Sequence, residues 1–129
     1  MDRLEKEQRA AKLLFDTHDD EAYRSASVRL YGFLRATWER ALEEIVFAGV
    51  LIRHRDYIDT KNLKKVSALL EADAESFRAA FKKCSDIIEA HDPSRVRNEE
   101  PPGPAEILQD INELAAWTEA LRARQKAIP

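Results

Sequence analysis

One apolar stripe constrains this chain more than any other feature. Tyr23, Leu30, Leu34, Trp38, Ala41 and Ile45 recur at spacings of seven, four, four, three and four, the period that keeps side chains on one side of an α-helix. The spacing predicts a helix from about Glu21 to Ala48. Gly49 is its expected stop, because glycine accepts the left-handed conformation that ends many helices. Two further stripes match it. Phe77, Phe81, Cys84 and Ile88 mark a helix over Ala74–Ala90, capped by Asp73 and closed by Pro93. Ile107, Ile111, Leu114, Thr118 and Leu121 mark a last helix that starts at Pro104, a residue suited to a first turn, and runs to about Ala127.

The remaining segments carry weaker signals. Asp2 to about Thr17 holds Leu4, Ala11, Leu14 and Phe15 among alternating charges, and Asp16–Asp20 reads as a stop followed by a new acidic N-cap. Asp59-Thr60 can cap a third helix, Lys61 to about Leu70. Val50-Leu51-Ile52 has no partner strand and reads as helix. His91 to Gly103, with Pro93, Pro101 and Pro102, is the one clear loop. The expected fold is therefore all-α, an antiparallel bundle of four to five helices. Residues 1–18 form an N-terminal helix, the possible end of a coiled coil, and residues 19–129 form the bundle.

Composition removes several function classes. A chain of 129 residues suffices for one domain with a core, and three glycines are too few for a turn-rich β fold. The single cysteine, Cys84, excludes an internal disulfide framework and argues against a cysteine zinc site. It reads as a small core residue. Met1–Gln8 is charged where a secretory leader would be apolar, and no apolar run approaches the roughly 20 residues of a membrane span. A soluble, cytoplasmic protein without a membrane partner is expected. There is no phosphate-cradling glycine loop, no His-Glu-x-x-His and no Gly-x-Ser-x-Gly, so no cofactor is called for. His18, His54 and His91 are too scattered to predict a metal site.

Charge is unevenly spread. The chain carries −3 overall, yet Arg24–Lys65 holds nine Lys and Arg against five acids. A local basic face of this kind suits RNA docking, with Arg53, Arg55, Lys64 and Lys65 as phosphate contacts and His54 among them. A solvated helix surface has the same appearance. Arg35 and Glu39 lie four apart, on one flank of the main stripe. With a histidine such as His91 or His54, they would supply what metal-independent RNA cleavage needs. The histidine handles the 2′-hydroxyl and leaving-group protons, and the guanidinium stabilises the charged transition state.

The stretch Leu30-Tyr31-Gly32-Phe33-Leu34-Arg35-Ala36-Thr37-Trp38-Glu39-Arg40-Ala41-Leu42-Glu43-Glu44 resembles the C-terminal region of bacterial coiled-coil P-loop ATPases. So do Lys83-Cys84-Ser85, His91-Asp92, the Pro-rich loop and the final amphipathic helix. That group includes ATPase-linked anticodon nucleases and other phage-defence proteins. The resemblance spans about Tyr23 to the C-terminus and implies a HEPN-like helical domain that dimerises and cleaves RNA, tRNA included, without metal. By position it implies His91 as general acid/base, with His54 as the fallback, Arg35 as charge stabiliser and Glu39 as orienter or second acid/base. It also implies self-association or a P-loop ATPase partner. The commoner signature of the class, Arg followed by His after four to six residues, is absent. The alternative is a non-catalytic interaction or dimerisation module, whose basic segment would meet an acidic partner.

Overall fold

The computed structural model describes residues 2–91 and 100–129. They form α1 (Asp2–Asp16), α2 (Asp20–Ala41), a π turn (Leu42–Val46), a 3₁₀ helix (Leu63–Ala68), α3 (Glu71–Ala90) and α4 (Pro104–Lys126), and among them there is no strand. All six residues of the main stripe are buried, together with Ser27 and Tyr31. Asp19 caps α2, its Oδ1 accepting the Ala22 N–H at 3.2 Å. On α4, Ile107, Ile111, Leu114 and Leu121 are buried along with Trp117, and Thr118 is half-buried. On α3 only Cys84 is fully buried, while Phe77, Phe81 and Ile88 pack against the edge of the core.

Side-chain ties set the directions of the helices. Tyr23 Oη donates to the Pro102 carbonyl at 2.5 Å, Tyr31 Oη to Asp110 at 2.6 Å, and Gln125 Nε2 to the Ile45 carbonyl. Trp38 meets Trp117 edge-on, with ring centroids 5.1 Å apart. Each partner lies 79 or 80 positions further along the chain, so α2 and α4 run parallel and in register. Between α2 and α3 the numbers move oppositely: Trp38 meets Phe77, Arg35 lies over Phe81, and Arg24 reaches His91. The same holds for α1, where Phe15 meets Tyr23, Glu7 meets Arg29 and Arg3 lies over Phe33. Neighbours in sequence are thus antiparallel, as in an up-down-up-down bundle.

α1 is too short to cover α2. Its 15 residues rise about 22 Å, against about 33 Å for the 22 residues of α2. It begins beside Phe33 and leaves the end of α2 from Trp38 onward without a helical neighbour on that side. The 3₁₀ helix packs at this end against α4 and the π turn. Its Ala68 is buried, and its Ala68 carbonyl accepts from Arg124 Nε at 3.2 Å.

Three local expectations are corrected. The helix of the main stripe leaves α geometry at Ala41, and the Phe47 N–H reaches back five residues to the Leu42 carbonyl at 3.1 Å. Ala48 and Gly49 then take left-handed backbone, with φ of 48° and 78°. Gly49 adopts the conformation expected of it, one residue after an alanine that must do the same. This reverses the chain, so Val50–Ile52 is not helical. Instead the Asp59 N–H bonds the Val50 carbonyl at 3.0 Å and closes an Ω-loop. The expected helix over Lys61–Leu70 is only the 3₁₀ segment Leu63–Ala68, because Ala68 alone is buried in it and Leu63 and Leu70 face solvent. An α-helix there would have no apolar face to bury. Asp59 accordingly bonds the Lys61 N–H at 3.0 Å in a local turn rather than capping a helix. Asp73 lies inside α3, not before it. The helix starts at Glu71, and Asp73 Oδ2 reaches back to the Leu70 N–H at 2.9 Å, the third-position half of a capping box. Of the expected loop, His91 and residues 100–103 are described; the rest, Pro93 included, lies outside the described residues.

Candidate functional site

The π turn and the Ω-loop build the most distinctive surface of the molecule. Its polar part is a chain of alternating charges. Arg35 Nε lies 3.7 Å from Glu39 Oε1, and Arg53 Nη1 lies 3.6 Å from Glu39 Oε2. Arg53 Nε then meets Glu43 Oε2 at 3.1 Å, and the Arg53 backbone N–H donates to Glu43 Oε1 at 2.8 Å. Arg53, from the loop, is therefore tied to two carboxylates on the helix. The Arg53 backbone N–H, then its guanidinium, hold the Glu43 carboxyl below the usual glutamate range against a smaller opposing effect of desolvation. The Arg35 guanidinium also lies over the Phe81 ring, 5.0 Å from its centroid.

His91 is at the other end. It terminates α3, is buried, and takes Arg24 Nη1 at Nδ1. A guanidinium only donates, so Nδ1 accepts there. Arg24 precedes Arg35 by eleven residues of α2, about 16 Å of helical rise. Within one chain, then, the fold joins Arg35 to Glu39 but not His91 to either. His54 is the histidine at the Arg35–Glu39 end. It is exposed, with a left-handed φ of 69°, and near enough for its charge to act on Glu43.

The residues expected to contact RNA divide into two groups. Arg53 is tied to Glu39 and Glu43, and Arg55 reaches Asp59 at 4.0 Å and the Gly49 carbonyl at 3.4 Å while lying over Tyr57. Lys64 and Lys65 sit on the 3₁₀ helix, and among the described residues neither ammonium forms an ion pair. Two of the four cations are thus engaged by local acceptors, and two belong to a neighbouring segment that Asn62 Nδ2 ties to the Ala48 carbonyl at 3.4 Å.

Between the helix wall and the loop wall runs an open groove of about 680 Å³. Glu39, Leu42, Glu43 and Phe47 line one side; Leu51, Ile52, Arg53, Arg55, Asp56, Tyr57 and Ile58 line the other. Tyr57 and Ile58 are 64% and 61% exposed, and Leu51 is 45% exposed. These large apolar side chains project beside an apolar groove and continue its surface into solvent. Sequence periodicity missed these residues. Their signal was Val50-Leu51-Ile52 and Tyr57-Ile58, apolar clusters that fit no helical stripe. Arg53 crosses from one wall to the other through its carboxylate partners. Three acids and two arginines line the groove, so its lining is slightly acidic inside a segment that is basic in sum.

A second polar cluster is structural. Tyr31, fully buried, bonds Asp110, which Lys83 approaches at 2.8 Å while also reaching Glu106 at 3.0 Å. Burial and the Asp110 hydrogen bond push the Tyr31 phenol far up. Burial likewise raises the Cys84 thiol to about 12, which keeps it protonated and inert. Among the described residues no group of three or more His, Cys, Asp and Glu is placed to hold a metal ion, and no helix is long and apolar enough to cross a membrane.

No protein-family model, curated protein or solved structure matches the chain.

Proposed function

We propose that this chain is a helical protein-interaction module that docks a partner protein at the groove between the π turn and the Ω-loop. The observation that carries the reading is the trio of exposed apolar side chains, Leu51, Tyr57 and Ile58, over an apolar groove at the end of α2. A solvated loop has no reason to hold them there, since burying each against a partner gains about 1.5–3 kcal/mol. Strained backbone at the non-glycine residues Ala48 and His54, flanking the groove, supports the same assignment.

A photo-crosslinker at Tyr57 tests it. The expected product is one discrete protein adduct, identified by mass and rebuilt from purified components. It disappears when Leu51→Asp and Ile58→Asp are combined in a protein of unchanged melting temperature. A crosslinker at Leu108, exposed on α4, gives no such adduct. Absence of the adduct from position 57 overturns the reading.

The second reading is metal-independent RNA cleavage by Arg35 and Glu39, and the placement of His54 at their end of the bundle favours it. Cleavage of tRNA in EDTA, lost in folded Arg35→Ala and His54→Ala variants, would establish it. An RNA domain without catalysis would bind and not cleave, with affinity falling as salt rises.

A further inference from the structure

We infer that the groove takes a basic amphipathic segment whose cation replaces Arg53 on Glu39 and Glu43. The inference rests on the docking reading above and specifies the partner's chemistry. It starts from the wall formed by α2 and its π turn. Glu39 and Glu43 are four residues apart and project from one face, with the partly buried Leu42 and Phe47 beside them. That wall pairs two carboxylates with an apolar floor, so a ligand complementary to it carries bulky apolar residues next to a cation.

The Ω-loop already supplies such a ligand in miniature. Ile52 and Arg53 are adjacent, Ile52 lines the groove, and Arg53 reaches both carboxylates at 3.6 and 3.1 Å. The Arg53 side chain in these pairs is 64% exposed and Glu39 38%, with Glu43 less so at 19%. Exposed pairs of this kind are weak and exchange readily with a competing cation. The lining charges favour a cation over the opposite chemistry. With three acids against two arginines, the groove suits a cationic segment better than a phosphate backbone or an acidic peptide, even though Arg24–Lys65 as a whole is basic.

The probe is a labelled helical peptide of about 15 residues, with Leu at positions i, i+3, i+4 and i+7 and Lys on its flanks. A twin with Glu in place of Lys is the comparison. The lysine peptide is expected to bind with chemical-shift changes at Tyr57, Ile58 and the Arg53 Nε–H. Glu39→Gln and Glu43→Gln weaken it by about two- to fivefold each, as exposed ion pairs allow. Arg53→Ala tightens it by a similar factor, whereas Arg40→Ala, which removes an exposed cation outside the groove, does not. Equal binding of the glutamate twin overturns the inference. So do indifference to Glu43→Gln, shifts at another surface, or no binding by the lysine peptide. If the crosslink at Tyr57 persists while the lysine peptide fails, the docking face stands and its partner is not basic. If the crosslink is absent as well, the docking reading itself falls.

Discussion

Trp38 of α2 and Trp117 of α4 meet edge to face, their ring centroids 5.1 Å apart, with Phe77 of α3 5.6 Å from Trp38. Three helices thus converge on one aromatic cluster just beyond the level where α1 starts. Trp38 is 1% exposed, and its truncation leaves a cavity that a close-packed core relaxes into only in part.

Trp38→Ala is expected to cost about 3–5 kcal/mol. Trp38→Phe costs less, because the indole N–H has no hydrogen-bond partner to lose. Urea denaturation followed by circular dichroism measures both. Equal stability of Trp38→Ala and the parent would contradict the packing described.

Asp73 makes three ties that fix the start of α3 against α4. Its carboxylate accepts from the Leu70 N–H at the start of α3 and pairs with Arg124 of α4, and its own carbonyl accepts from Trp117 Nε1 at 3.0 Å. Asp73→Ala should lose about 1–2 kcal/mol, from the cap and the ion pair together. Asp73→Asn, which retains an acceptor for the Leu70 N–H, should recover part of that loss. Thermal melts of the two variants check the order.

Acidification should release Arg53 of the Ω-loop from Glu43. Glu43 has its folded pKa below the unfolded value, so the tie to Arg53 contributes fully above the ordinary glutamate range and is lost as pH falls through the lowered folded value. The Arg53 amide is expected to keep its hydrogen-bonded chemical shift at pH 5 and to lose it only at lower pH. In Glu43→Gln that carboxylate titration disappears. An Arg53 amide shift that does not vary with pH in the parent would refute the tie.

Cys84 should resist modification in the native protein. Buried and with its thiol raised to about 12, it offers almost no thiolate at neutral pH. A disulfide reagent is expected to label it rapidly in urea and only through unfolding in buffer. Fast labelling of the folded protein would place Cys84 outside the core.

The helices were legible because their signals are local. The stripe from Tyr23 to Ile45, the acidic cap within Asp16–Asp20 and Pro104 at the start of α4 each act within a turn or two, and each has its expected place. The π turn and the loop were not legible, for a different reason. Their geometry depends on Ala48 adopting a left-handed backbone that alanine disfavours, a cost met by the surrounding contacts and invisible in the residue type. The candidate site divides in the same way. Arg35 and Glu39 could be joined from their spacing alone, since helix geometry brings them together. Where His91 lies relative to them depends on how α3 runs against α2, and antiparallel packing sends it to Arg24 instead. Glu43 entered the site only through Arg53, ten residues away across a turn with no periodic signature.

The shortness of α1 has a consequence for how this protein can vary. Where α1 covers α2, an inserted or deleted residue shifts a helical register and disturbs the whole core. Beyond it, residues 51–58 hang from a neck closed by the bond between Asp59 and Val50, and Val50 is the last fully buried side chain before the loop. That stretch is an exchangeable cassette: its length and chemistry can be rewritten while the four helices keep their alignment. A first helix shorter than its neighbour thus leaves a rigid scaffold one end whose surface can change without renegotiating how the chain folds.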